Sequence, residues 1–150
     1  MDLLSEKFPE RGKILVPVDG SENSKRALTL AIGFAEKYSA SITVAHVVYL
    51  TVELVTKTPD LAATITRRFE EKGKTLLEDS LMQVQQAGIV GGTVLLRGHI
   101  GPEIVSYTKL EGFDMVVMGC RGLDALSRTL RGSISDYVID HTKCPVLIVK

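Results

Sequence analysis

Five short, nearly continuous runs of apolar residues constrain the fold of this chain more than any other feature. They are KILVPVD (13–19), SITVAHVV (41–48), TVLLRG (93–98), FDMVVMG (113–119) and PVLIVK (145–150). A strand with one face in water alternates apolar and polar residues, whereas a run apolar throughout is covered on both faces. Between the runs lie segments of helical spacing. Ser21 is placed as an N-cap before Ala27, Leu28, Ala31, Ile32 and Ala35. A second helix is expected over 64–87, with Phe69, Leu76, Leu77, Leu81 and Val84 inward and Gly88 as its stop. A third spans 101–112, with Pro102 in its first turn and Gly112 at its end, and a fourth spans 133–143. Residues 50–62 read as a loop or an irregular helix entry. Strands alternating with helices define an α/β, three-layer sandwich: an open five-stranded parallel sheet with helices on both faces.

The 150 residues amount to one domain, 1–150, long enough for a sizeable core. Aromatic residues make up only 5% and Trp is absent, so that core must be aliphatic. Formal net charge is zero. Nucleic acid and anionic membranes are bound through excess Lys and Arg, so neither is expected as a partner, and any anion site must be local. No run approaches the ~20 apolar residues of a membrane span, and the opening MDLLSEKFPERGK lacks the apolar core of a signal peptide. Cys120 and Cys144 are too few for a disulfide framework. These features lead to the expectation of a cytoplasmic protein.

In open parallel sheets, ligands bind beyond the carboxyl ends of the strands, where the winding reverses. Those ends carry PVDGS, HVV and MGCRG here, and the last opens the segment GCRGLDALSRTLRGS (119–133). Gly119, Gly122 and Gly132 sit in that segment with Arg121, Arg128 and Arg131, against one acid, Asp124. Glycine lets backbone approach a ligand closely, and Gly132-Ser133 opens an expected helix, where unpaired N–H groups favour phosphate. Such a segment is suited to wrapping a polyphosphate. The alternative is structural: Leu123, Leu126 and Leu130 have helical spacing, so 123–131 also reads as a surface helix between two glycines.

Other constellations point away from catalysis. Neither DGS nor RGS is a G-x-S-x-G nucleophile elbow, and no Gly-Lys-Ser/Thr supplies a Walker A lysine. Asp124 lies in the segment and Asp136 just beyond it, but nothing marks either as a base, and solvated or capping roles suit them better. His46, inside an apolar strand, reads as a packed and hydrogen-bonded histidine. His99 reads as an exposed loop residue. His141 and Cys144 are two ligands where a zinc site needs three or four.

The glycine spacing resembles that of the universal stress protein family in its ATP-binding branch: glycine, two residues, glycine, nine residues, then glycine with Ser or Thr. Gly119, Gly122, Gly132 and Ser133 match it in full. KILVPVDGSENSKRAL, HVV, FDMVVMGCRG and CPVLIVK resemble the family's strands and first helix, so the likeness covers the chain apart from residues 50–66. The implied fold is adenine nucleotide alpha hydrolase-like, a Rossmann-like variant. The resemblance further implies that Asp19 lies near adenine and ribose, lined by Pro17 and Val18, and that Val47 meets the adenine through its backbone. Met118, Gly119, Arg121 and Gly122 would flank ribose and phosphates. Gly132, Ser133, Ile134 and Ser135 would hold the phosphates. Cys120 stands where the family often has Ser, and Ile100 where it often has Pro. The implied ligand is ATP with Mg2+ or Mn2+ bridging its phosphates. The implied assembly is a homodimer through the C-terminal strand. Three functions are open: a nucleotide-dependent regulator, a slow ATPase or autophosphorylating enzyme using Ser133 or Ser135, and a dimerisation module with an empty pocket.

Overall fold

The computed structural model describes residues 8–120 and 134–150. Among them the elements run β1 (Lys13–Pro17), α1 (Glu22–Tyr38), β2 (Ser41–Val48), α2 (Val52–Lys57), α3 (Pro59–Gln86), β3 (Gly91–Arg97), α4 (Ile100–Glu111), β4 (Met115–Gly119), α5 (Ile134–His141) and β5 (Val146–Val149). The strands form one parallel sheet in the order β3-β2-β1-β4-β5. The chain winds outward from β1 to β3, then returns past β1 to lay down β4 and β5. The reversal therefore falls between β1 and β4.

Strand parity sorts the aliphatic side chains into two layers. Ile14, Val16, Ile42, Val44 and Val117 pack with Ala27, Leu28 and Ala31 of α1 and Leu77 and Val84 of α3. Leu15, Ala45, Val47, Val116 and Met118 pack with Ile104 of α4 and Val138 of α5. Both faces of the sheet are thus covered, which is why its strands read as unbroken apolar runs.

The helices follow local signals with two departures. Ser21 caps α1, its hydroxyl accepting from the Ser24 amide at 3.2 Å. The stretch expected as loop or irregular entry instead holds α2, capped by Thr51, and the start of α3 at Pro59. Proline suits a first turn because its missing N–H has no intrahelical partner there anyway. Phe69 is the second departure: expected inward, it is 43% exposed. The buried seam of α3 passes through Ala62, Gly73, Leu77, Ser80 and Val84, with Thr66 and Glu70 half-buried between. Phe69 lies about 100° around the helix from Glu70, off that seam.

Candidate functional site

The end of the strand pairing at the reversal has a covalent cause. In a parallel strand, alternate residues turn their N–H and C=O groups to opposite neighbours. The Val18 amide donates to the Ala45 carbonyl at 2.8 Å, so Val18 addresses β2, and Pro17 addresses β4. Proline has no N–H to give. The β1–β2 register runs to Pro17↔Ala45, whereas the β1–β4 register ends at Leu15↔Val116. Pro17 therefore ends the ladder toward β4 at the point where the winding reverses.

Beyond Pro17 the chain turns into α1. The Ser21 amide donates to Asp19 Oδ1 at 2.9 Å, and the Asp19 amide donates to Ser24 Oγ at 3.4 Å. Gly20 takes φ +83°, a conformation side chains disfavour. Asp19 stays exposed at the rim, its carboxylate bonded within its own turn.

Gly119 has a packing reason to be glycine. A Cβ there would stand 2.6 Å from the Asn23 carbonyl carbon and 2.8 Å from the Ser24 nitrogen, both backbone atoms of α1. Asn23, which the sequence reading did not single out, clamps the same junction: its Nδ2 donates to the Cys120 carbonyl, and its Oδ1 accepts from Arg26. An Asn just past an N-cap, facing a strand end 97 residues away, carries no local sequence signal.

The expected site residues divide by layer. Pro17 is half-buried, and Val47 and Met118 are buried, the latter two facing α4 and α5. Ile134 and Ser135 begin α5 on that same side, Ile134 half-buried and Ser135 buried. Val18 differs: its side chain packs in the α1–α3 layer, and its carbonyl oxygen lies 2.7 Å from His46 Nδ1. The bond to a carbonyl assigns the proton to Nδ1. His46 is thus packed and hydrogen-bonded, as its apolar strand implied. Arg121, Gly122, Gly132 and Ser133 lie outside the described residues.

Near the carboxyl ends of β2 and β3 lies a depression of about 270 Å³, lined among the described residues by Tyr49, His99, Ile100, Gly101, Pro102, Ile134 and Tyr137. The sequence reading placed His99 in an exposed loop; it is the exposed N-cap position of α4. Cys144 is remote from the crevice, and burial pushes its thiol above the ordinary range.

In doubly wound parallel α/β sheets generally, ligands bind beyond the carboxyl ends of the strands at such a topological switch point. The defining pattern of the universal stress protein family matches residues 10–150, and the chain belongs to that family. It is 30% identical to the universal stress protein YxiE of Bacillus subtilis over 148 residues, covering 92% of this chain and 98% of that one. Its fold is similar to that of the hypothetical protein MJ0577, with TM-score 0.80 and 26% identity over 95% of this chain and 97% of the other. A family member from Arabidopsis thaliana, TM-score 0.71 and 22% identical over 93% and 91% of the two chains, was solved with AMP bound. Structures of other members, each 22% identical to this chain, were solved in complex with dAMP and with cAMP.

Proposed function

We propose that this protein binds ATP in the crevice between the carboxyl ends of β1 and β4 and acts as a nucleotide-dependent regulatory protein of the cytoplasm. The observation that carries the reading is the ladder stopped at Pro17: the sheet opens at its switch point, beside the strand that leads into Gly119, Gly122, Gly132 and Ser133. That spacing supports a phosphate-wrapping role, and α5 begins at Ile134, directly after Gly132-Ser133. The family members solved with AMP, dAMP and cAMP support an adenine nucleotide as the ligand class.

A divalent cation, Mg2+ or Mn2+, would be held by the phosphates of the nucleotide with at most one or two carboxylates of this chain, and would there offset the phosphate charge. Among the described residues no three His, Cys, Asp or Glu side chains gather as a protein cage would require. Magnesium is commonly held by one or two carboxylates plus substrate phosphates. Among the described residues, Asp19 is the carboxylate that directly follows the end of β1. Its role in the present fold is to hold the turn that brings α1 to the crevice.

Acid extraction of the purified protein, followed by chromatography of the released nucleotide, tests the reading. ATP in amounts comparable to the protein is the expected result. ADP would point to turnover. Protein that releases no nucleotide and binds none added back would contradict the proposal.

A further inference from the structure

We propose that His46 is a positioning residue of the nucleotide site: its side chain takes the Val18 carbonyl, stops β1–β2 pairing one rung early, and so leaves the amide and carbonyl of Val47 to the ligand. This inference rests on the nucleotide reading and goes beyond it, because a packed and hydrogen-bonded histidine had no part in the site.

Strand parity sets up the missing rung. In a parallel ladder a residue turns both its N–H and its C=O to one neighbour, and the next residue turns both to the other. The Ala45 carbonyl accepts from the Val18 amide, so Ala45 addresses β1. Ile42 and Val48 bond to Val90 and Gly98, the residues flanking β3, so the even-numbered residues of β2 address β3. Val47, two residues after Ala45, therefore turns its amide and carbonyl toward β1. The next rung of that ladder would bond the Val47 amide to the Val18 carbonyl. The register ends at Pro17↔Ala45 instead, and the Val18 carbonyl oxygen lies 2.7 Å from His46 Nδ1. Val18 is thus tied to β2 at both ends, through its amide to Ala45 and through its carbonyl to the ring. Beyond it the chain leaves the strand direction through the Asp19 turn and enters α1.

Among the described residues, neither backbone group of Val47 has a partner on the β1 side. Val47 is 8% exposed, and peptide groups so far from bulk water call for partners. A ligand edge that offers one donor and one acceptor side by side would supply both, and adenine carries such edges.

The place of the ring is built into α3. Gly73 is buried within that helix, and a Cβ on it would stand 2.6 Å from His46 Cδ2 and 3.3 Å from Nε2. Glycine weakens a helix interior relative to alanine, so α3 gives up helix propensity where the imidazole stands. The ring is confined between α3 and the end of β1, which keeps Nδ1 on the Val18 carbonyl.

The test measures ATP affinity by calorimetry and hydrogen exchange of the Val47 amide by NMR, on the nucleotide-stripped wild type and on two variants. His46→Phe keeps a ring and removes the donor, whereas His46→Asn keeps an N–H near the place of Nδ1. His46→Phe is expected to bind ATP about 10-fold more weakly. Its Val47 amide should exchange more slowly than in the wild type, because the rung to Val18 closes. His46→Asn is expected to stay within about 3-fold of the wild type. A folded His46→Phe with wild-type ATP affinity overturns this inference and leaves the nucleotide reading standing. So does an equal loss in both variants, or a Val47 amide that His46→Phe does not slow, since either reduces His46 to packing. Failure of the wild type to bind ATP ends both. Should the variants not fold, the wild type decides. Slower exchange of the Val47 amide with ATP supports the inference, and unchanged exchange at saturating ATP overturns it.

Discussion

Gly119 and Asn23 meet so closely that a Cβ on the glycine would stand 2.6 Å from the carbonyl carbon of Asn23. The first glycine of the motif is therefore needed by the fold, whatever it does for a ligand. The three atoms that a new methyl would strike all belong to the backbone of α1, which Asn23 holds against the end of β4. Such overpacking has no flexible side chain to absorb it. Gly119→Ala should lower the unfolding free energy by about 1–3 kcal/mol in denaturant titrations made without nucleotide. An unchanged midpoint would mean that α1 withdraws from β4 without cost.

Gly132 is predicted to behave differently. It stands two positions before Ile134, the first described residue of α5, at a helix start whose backbone N–H groups would face a phosphate, and a side chain would stand in the way. Gly132→Val should weaken ATP binding at least ~10-fold, about 1.4 kcal/mol, while the thermal unfolding midpoint stays near the wild type. Unchanged affinity in a folded variant would remove the phosphate role from this glycine.

The contrast between these two glycines shows how far the sequence could be read. All five strands, the layer order and the N-cap of α1 follow from apolar runs and capping residues, which are local signals. The role of Pro17 was half legible. A strand end at proline is a local inference, but which neighbour loses its hydrogen bond depends on the parity that Val18 and Ala45 set. Asn23 and Gly101 act through partners in distant elements, and no spacing rule announces them. The start of α3 was missed because Thr58-Pro59-Asp60 reads equally as a turn and as a proline-initiated helix.

The edge at β5 leads to a prediction about assembly. Among the described residues β5 pairs only with β4 and is the last strand of the sheet, with Leu147 37% exposed. An apolar edge guarded only by Lys150 invites pairing, and antiparallel pairing of two identical edges closes after two chains. The protein should be a homodimer in light scattering. Ile148→Pro, which removes an edge donor, and Val146→Lys, which sets like charges near the axis, should each give monomer or aggregate. An undisturbed dimer in both would place the interface elsewhere.

Nucleotide binding is tested most directly by titrating the nucleotide-stripped protein with ATP, AMP and adenosine in a calorimeter at two ionic strengths. One ATP per chain should bind saturably, about 10-fold more tightly than AMP at low salt, because the additional phosphates would meet the arginines of the 119–133 segment. That advantage should shrink as salt screens the charges. The absence of saturable ATP binding, or equal affinities for ATP, AMP and adenosine at both salt concentrations, would contradict a polyphosphate site at the β1–β4 reversal.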